Sequence, residues 1–239
     1  MNLLLFEPDE LAGGAAVLRD RRAAHVREVL RASAGTTLRA GVVRGPVGTA
    51  EVIEITADHV TLAFEARGDA SAPAPIDLIL AVPRPKVLRR VLQFAASCAV
   101  RRIDLINAWK VDKSYFGSAK VEDRSIAEDL RLGAEQGATT WLPDVRVHAR
   151  FMQFLDEHAP TATHKLCAHA RDADPIEQRY RGGDVALAIG PEGGWIDREV
   201  DTFALRGFAI VSLGAPILRV EAAVASALGQ LALLQRLGK

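Results

Sequence analysis

Two rhythms of apolar and polar positions divide the chain. From Thr36 to Glu65 the residues alternate or run β-branched, in TTLRAGVV, GTAEVIEI and HVTLAF, with turn points at Gly45-Pro46 and Ala57-Asp58. Short strands between turns predict a small antiparallel barrel or sheet. Ahead of them, AAHVREVLRAS predicts one short helix with Val26, Val29 and Leu30 on a common side. GDASAPAPID, Gly68 to Asp77, holds small residues and two prolines and reads as an interdomain linker. The expected domains are therefore residues 1–70 and 71–239.

Beyond the linker, apolar strand-like runs alternate with helical periodicity. IDLILAV, IDLINAW, THKLCAHA, DVALAIG and FAIVSLG read as strands. VLRRVLQFAASCAV, SIAEDLRLGAEQ and DREVDTFALRG read as helices between them. This pattern predicts an α/β domain with a mostly parallel sheet covered on both faces. In the last helix, EAAVASALGQLALL, the stripe Val224, Leu228, Leu231 and Leu234 faces away from Ala222, Ala225, Ser226 and Gly229. A helix with so little polar face is buried on more than one side, and its small residues favour a dimer interface.

Composition changes this picture little. The chain has 239 residues, 49% hydrophobic and 25% charged, which suits one large domain or two modest ones. No apolar run is long enough for a membrane helix, and MNLLLFEPDE lacks the marks of a secretory signal. Cys98 and Cys167 sit in apolar contexts and read as reduced core residues, pointing to the cytoplasm. The six histidines show no metal-ligand spacing. Net charge is zero, but Arg84, Lys86, Arg89, Arg90, Arg101 and Arg102 fall in an acid-free run between Asp77 and Asp104. Arg19 to Arg22, with Arg27 and Arg31, give a second basic cluster. Such faces contact phosphates, or are simply solvated helix surface, which charge alone favours.

Two strand exits carry the candidate chemistry. IGPEGGW, Ile189 to Trp195, exposes bare backbone between a strand and a helix. It matches neither GxGxxG nor the P-loop GK[ST], so it is either a turn needing positive φ or a backbone-lined ligand site. LGAPILRVEAA, Leu213 to Ala223, is a second glycine- and proline-bearing exit. Arg219 and Glu221 are the only charges between Arg206 and Arg236, in a context suited to burial. Charges there are costly unless paired or used.

These motifs resemble the C-terminal signature of the RsmE family. Its members are SPOUT-superfamily RNA methyltransferases acting on N3 of a uridine in small-subunit ribosomal RNA. HVREVLRASAGTTL, KVDKSYFGSAK and GAEQGATTWLPDV extend the likeness over nearly the whole chain. The resemblance implies a PUA-like RNA-binding barrel followed by a SPOUT-type α/β domain with a trefoil knot. It implies S-adenosylmethionine held by Leu166, Ala168 and His169, by Ile189, Gly190, Pro191, Glu192, Gly193 and Gly194, and by Leu213, Gly214, Ile217 and Leu218. It further implies a homodimer through the C-terminal domain and a ribosomal RNA or small-subunit substrate. Arg219 is then the candidate to orient the base or stabilise charge on the uracil, with Glu221 and Glu192 as positioning or proton-removing groups. Arg21, Arg22, Arg27, Arg31, Arg84, Lys86, Arg89 and Arg90 are the expected RNA contacts.

Three positions depart from the family pattern. QFAASCAV lacks a glutamate and a glycine, GATTWLP lacks an arginine, and Pro216 stands where an arginine is common. These departures bear on the RNA target more than on the cofactor loops. The alternative is a non-catalytic RNA-binding member acting in ribosome assembly.

Overall fold

The computed structural model describes residues 1–116, 118, 121–170 and 173–238. The N-terminal half is a five-stranded sheet in the order β1-β3-β4-β5-β2. Its strands are β1 (Leu4–Phe6), β2 (Ala15–Leu18), β3 (Thr37–Val42), β4 (Pro46–Ile55) and β5 (Val60–Ala70). β1 pairs with β3 in parallel and the other pairings are antiparallel. Register shifts in the long β4–β5 ladder bend the sheet around Phe6, Leu18, Val26, Val52 and Leu62.

The predicted helix before β3 is present but not as one regular piece. α1 (Arg21–Ala24) runs into a π-helical turn, His25–Val29. The wide turn breaks the helical spacing: Val26 is buried, whereas Val29 and Leu30 are exposed, against the expectation of a shared apolar side.

The linker expectation also needs correction. Gly68–Ala70 belong to β5, and β6 (Ala74–Ala81) begins almost at once. The remaining connection is pinned, since Ser71 donates from its N–H to the Thr140 hydroxyl and from its own hydroxyl oxygen accepts the Thr140 N–H, each at 2.9 Å. Asp77, at the end of the supposed linker, is buried and bonds Arg101 through both carboxylate oxygens. That bonding outweighs the cost of burial and holds the Arg101 guanidinium above its ordinary pKa.

The second half is a seven-stranded sheet in the order β10-β12-β9-β11-β6-β7-β8, parallel throughout. Its further strands are β7 (Val100–Ile106), β8 (Asp144–His148), β9 (His164–Ala168), β10 (Asp174–Pro175), β11 (Val185–Ile189) and β12 (Ala209–Ser212). The helices are α2 (Pro85–Ser97), α3 (Lys113–Phe116), α4 (Asp123–Gly137), α5 (Phe151–Gln153), α6 (Ile176–Arg179), α7 (Asp197–Leu205) and α8 (Val220–Arg236). The expected mostly parallel α/β sheet is what the chain forms. Among the described residues no helix is long and apolar enough to cross a membrane.

Two of the three segments that depart from the family pattern have structural uses. In QFAASCAV, Ala95 and Ala96 are fully buried on α2. A Cβ at Gly133 or Gly137 of α4 would collide with the backbone of Gln93 or Ser97, so the two helices touch main chain to main chain. Asp129 of α4 accepts from both Arg89 and Gln93 of α2. GATTWLP joins the halves: besides the Ser71–Thr140 bonds, Arg44 lies 4.8 Å from the Trp141 ring centroid and donates to the Leu142 carbonyl and Asp144.

Cys98 and Cys167 are free, and burial pushes both thiols above their ordinary pKa. On α8, Val224, Leu228, Leu231 and Leu234 are buried as the stripe predicts. The Ala222 and Gly229 side of the same helix is exposed, as is Leu233.

Candidate functional site

In a parallel sheet every strand ends on the same edge, so the loops leaving β9, β11 and β12 meet. There they enclose a cavity of about 450 Å³. Ala168 and His169 come from the β9 exit, Ile189 to Gly194 from the β11 exit, and Leu213, Gly214, Ile217 and Leu218 from the β12 exit. Thus every residue expected to hold cofactor lines this space, with one exception. Leu166 lies inside β9 between β11 and β12, buried in the sheet, and does not reach the cavity.

The glycines have separate tasks. Gly194 (φ +69°) and Gly214 (φ +128°) occupy backbone conformations that side chains oppose. At Gly190 an added Cβ would come within 3.2 Å of the Trp195 indole. At Gly193 it would come within 2.8 Å of Cδ of Lys110.

Spacing in sequence could not supply several other walls. Trp195, Asp197, Val220, Ala223 and Lys110 also line the cavity. Trp195 stacks edge-on against Phe203, which fixes its ring, while its buried Nε1 has no hydrogen-bond partner among the described residues. Lys110 arrives from the β7 exit and donates from Nζ to the Gly193 carbonyl at 2.8 Å. The signal for Lys110 was its place after IDLINAW, because β7 is parallel to β6 and β11 and ends on the same edge.

The charged candidates are placed differently from expectation. Glu192 lines the cavity, but its Oε1 accepts the Arg84 N–H at 2.9 Å, closing the start of α2 onto the β11 loop. Arg219 is exposed at the N-cap of α8, outside the cavity wall, so the inference of costly burial does not hold. It fails because the β12 exit runs along the surface, with Ile217 80% exposed. Glu221 is half-buried and lies 3.8 Å from Arg90.

The arginines expected to meet RNA divide into two sets. Arg22 is buried and bonds Asp20, Glu10 and the Leu5 carbonyl, so it holds the N-terminal sheet together and has no face for RNA. Burial opposes its charge, yet the bonds to Glu10 and Asp20 more than compensate and raise its pKa. Arg21 makes a two-pronged pair with the buried Glu135 on α4, and Arg27 caps the Thr56 and Ala57 carbonyls. Arg31, Arg84, Lys86 and Arg90 are exposed, and Arg89 is exposed beside Asp129. The acid-free run is not acid-free in space: Arg101 meets Asp77 and Asp184, and Arg102 meets the buried Asp104.

Comparison with known proteins decides the family. Residues 70–232 match the RNA methyltransferase domain family. The ribosomal RNA small subunit methyltransferase E of Treponema pallidum is 33% identical over 95% of this chain and 89% of its own length. The chain belongs to this family of RNA methyltransferases. The enzyme of the same name from Synechocystis is 26% identical over 95% of this chain and 76% of its own. The fold agrees: the Neisseria gonorrhoeae ribosomal RNA small subunit methyltransferase E, solved bound to S-adenosyl methionine, superposes with a TM-score of 0.80 at 22% identity over 98% of both chains. A Legionella pneumophila methyltransferase in complex with SAM gives 0.79 at 24% identity over 97% of both.

Proposed function

We propose that this family member is an S-adenosylmethionine-dependent methyltransferase acting on N3 of a uridine in small-subunit ribosomal RNA. The cavity shared by the β9, β11 and β12 exits carries that reading. Its volume, about 450 Å³, falls in the range of small-molecule sites. Its donors suit a purine and an amino acid: the N–H groups of Ile217 and Leu218 find no partner among the described residues. Glu192 and Asp197 suit a ligand carrying positive charge.

S-adenosylmethionine supplies a methyl group already activated on a sulfonium. The protein's part is alignment of the two reactants, exclusion of water and help with the departing N3 proton. Ile189, Pro191 and Leu218 give the cavity apolar walls, and the Glu192–Arg84 bond holds the β11 loop against α2. Arg219 and Glu221 flank the opening of α8 and are assigned to the RNA base, Arg219 to its orientation and Glu221 to positioning.

For the RNA we assign residues 1–70 as a PUA-like barrel and 71–239 as a SPOUT domain with a trefoil knot. Support for threading comes from β12, which lies beyond β9 while α8 returns to pack on α2 and β11. Arg31, Arg84, Lys86, Arg89 and Arg90 form the exposed RNA track. The exposed Ala222–Gly229 side of α8 is assigned to a homodimer working in the cytoplasm.

The test is to map modified nucleosides in ribosomal RNA from cells with and without this gene, and in small subunits treated with the purified protein. One 3-methyluridine should vanish with the gene and return with the protein and S-adenosylmethionine. No cofactor binding by calorimetry at millimolar concentration would leave the non-catalytic RNA binder.

A further inference from the structure

Methylation at uridine N3 raises an electrostatic requirement that the cavity meets at one point. The N3–H bond must break, its proton passing to solvent. The pair left on N3 forms the new bond to the methyl carbon, while the carbon–sulfur pair stays with sulfur. Between these events the uracil carries a negative charge spread over N3, O2 and O4. A positioned cation facing those oxygens lowers the cost of that charge.

Among the described residues, Lys110 is the only lysine or arginine lining the cavity. The carboxylates of Glu192 and Asp197 share the same wall and cannot serve an anion. Arg219 lies outside the wall. Lys110 is therefore the cation best placed for the uracil.

Its surroundings fix where the ammonium sits. Trp109 and Lys110 are exposed, but Ala108 before them and Val111 after them are buried, and the Val111 N–H bonds the Ala108 carbonyl at 3.0 Å. The Trp109 N–H bonds Oε1 of the buried Glu199 at 2.7 Å, and Oε2 of the same carboxylate accepts the Ile196 N–H. Glu199 thus ties the β7 exit to the start of α7, alongside the cavity residues Trp195 and Asp197. The Lys110 stem then crosses Gly193, where a Cβ would come within 2.8 Å of Cδ, and Nζ spends one donor on the Gly193 carbonyl. An ammonium has three donors, so two remain for a ligand at the open side. Gly193 is on this account a groove for the lysine rather than a turn residue, since its φ lies outside the left-handed region.

We propose that Lys110 is a catalytic residue: its ammonium contacts a uracil oxygen and stabilises the charge exposed when the N3 proton leaves. This rests on the uridine-N3 reading above. The experiment compares wild type with Lys110→Met, Lys110→Arg and Gly193→Ala. It measures kcat and KM for the RNA across pH, and the dissociation constant for S-adenosylmethionine by calorimetry. Lys110→Met should lower kcat about 100-fold, the scale for loss of one charge-stabilising donor. Its rising pH limb should move to higher pH, because without the cation the N3 proton is held more tightly. Cofactor affinity should change less than about twofold, Lys110→Arg should recover part of the rate, and Gly193→Ala should fall between. An unchanged kcat and pH profile overturns the proposal. So does a loss confined to cofactor affinity, which would put Lys110 on the cofactor carboxylate. A loss confined to KM for RNA, steepening with salt, also overturns it and marks a phosphate contact. Should the wild-type protein methylate an atom other than uridine N3, the reading beneath the proposal falls with it; normal N3 methylation by Lys110→Met removes only the role of Lys110.

Discussion

The cavity at the strand exits and the seam between the two halves use opposite materials. The cavity is made largely of backbone, glycine and proline, with few charges. The seam is made of paired side chains: Arg21 with Glu135, Arg131 with Glu7, Arg44 with Asp144. Even the main chain joins it, the N–H groups of Asn2 and Leu3 both reaching the Glu135 carbonyl at 3.0 Å. A paired charge holds structure and has little left to offer a ligand, whereas backbone N–H groups without a partner among the described residues, as at Ile217 and Leu218, keep a donor to offer. Local charge density therefore overstates how many cations of the Arg19–Arg31 cluster are free, since Arg21 and Arg22 are paired.

Substitutions can break this contrast, and the largest effect is expected at Arg22. Arg22→Ala leaves Glu10, Asp20 and the Leu5 carbonyl without their partner. Because the two carboxylates are part-exposed and can rehydrate, the loss should be about 2–3 kcal/mol, below the full cost of orphaning a buried pair. Chemical denaturation should record it, with cofactor affinity unchanged. A weakened RNA affinity at unaltered stability would instead return Arg22 to the RNA track. Next comes Gly190→Ala, which presses on the Trp195 ring. S-adenosylmethionine should bind about tenfold more weakly, roughly 1.4 kcal/mol, while the unfolding midpoint barely moves.

Glu192→Ala should be milder. It removes the acceptor for the Arg84 N–H at the start of α2, a cap-like loss of about 1 kcal/mol. Glu192→Gln should keep most of the stability, since the amide oxygen still accepts. If Glu192 removed the N3 proton, Glu192→Gln would instead abolish turnover.

The smallest effect is a pH dependence. Burial opposes the charge on Glu10 and Asp20, but the bonds to Arg22 and to backbone N–H groups prevail and depress both pKa values. Folded acids with depressed pKa contribute stability above their unfolded pKa and lose it as pH falls through the folded value. Stability should thus decline below the ordinary carboxylate range in wild type, and less so in Arg22→Ala. Equal acid sensitivity in the two would assign the decline to other carboxylates.

Much of this architecture is legible in the residues. IDLILAV, IDLINAW and DVALAIG are buried parallel strands, and runs apolar on both faces suit no other placement. IGPEGGW and LGAPIL sit at strand exits, where bare backbone serves either a turn or a ligand. The linker reading fails because small residues and prolines look alike in a tether and in a short connection between two strands pinned by Thr140. The side of Val29 and Leu30 was misread because a π-helical turn leaves no mark on spacing.

The sequence by itself determined the parallel α/β class, the glycine-bearing exits that build the cavity and the family likeness, because period and local backbone demand are written residue by residue. Only the tertiary structure decided which charges are free. Arg22, Arg101 and Arg102 read like Arg84 and Lys86 in the chain, yet Arg102 pairs along its own strand with the buried Asp104. Arg22 reaches back to Glu10 and the Leu5 carbonyl, and Arg101 crosses to Asp77 and Asp184, contacts that no local pattern encodes. The same holds for Lys110 and Gly193, more than eighty residues apart by the 83-residue separation of their hydrogen bond, which the common edge of β7 and β11 brings to one point.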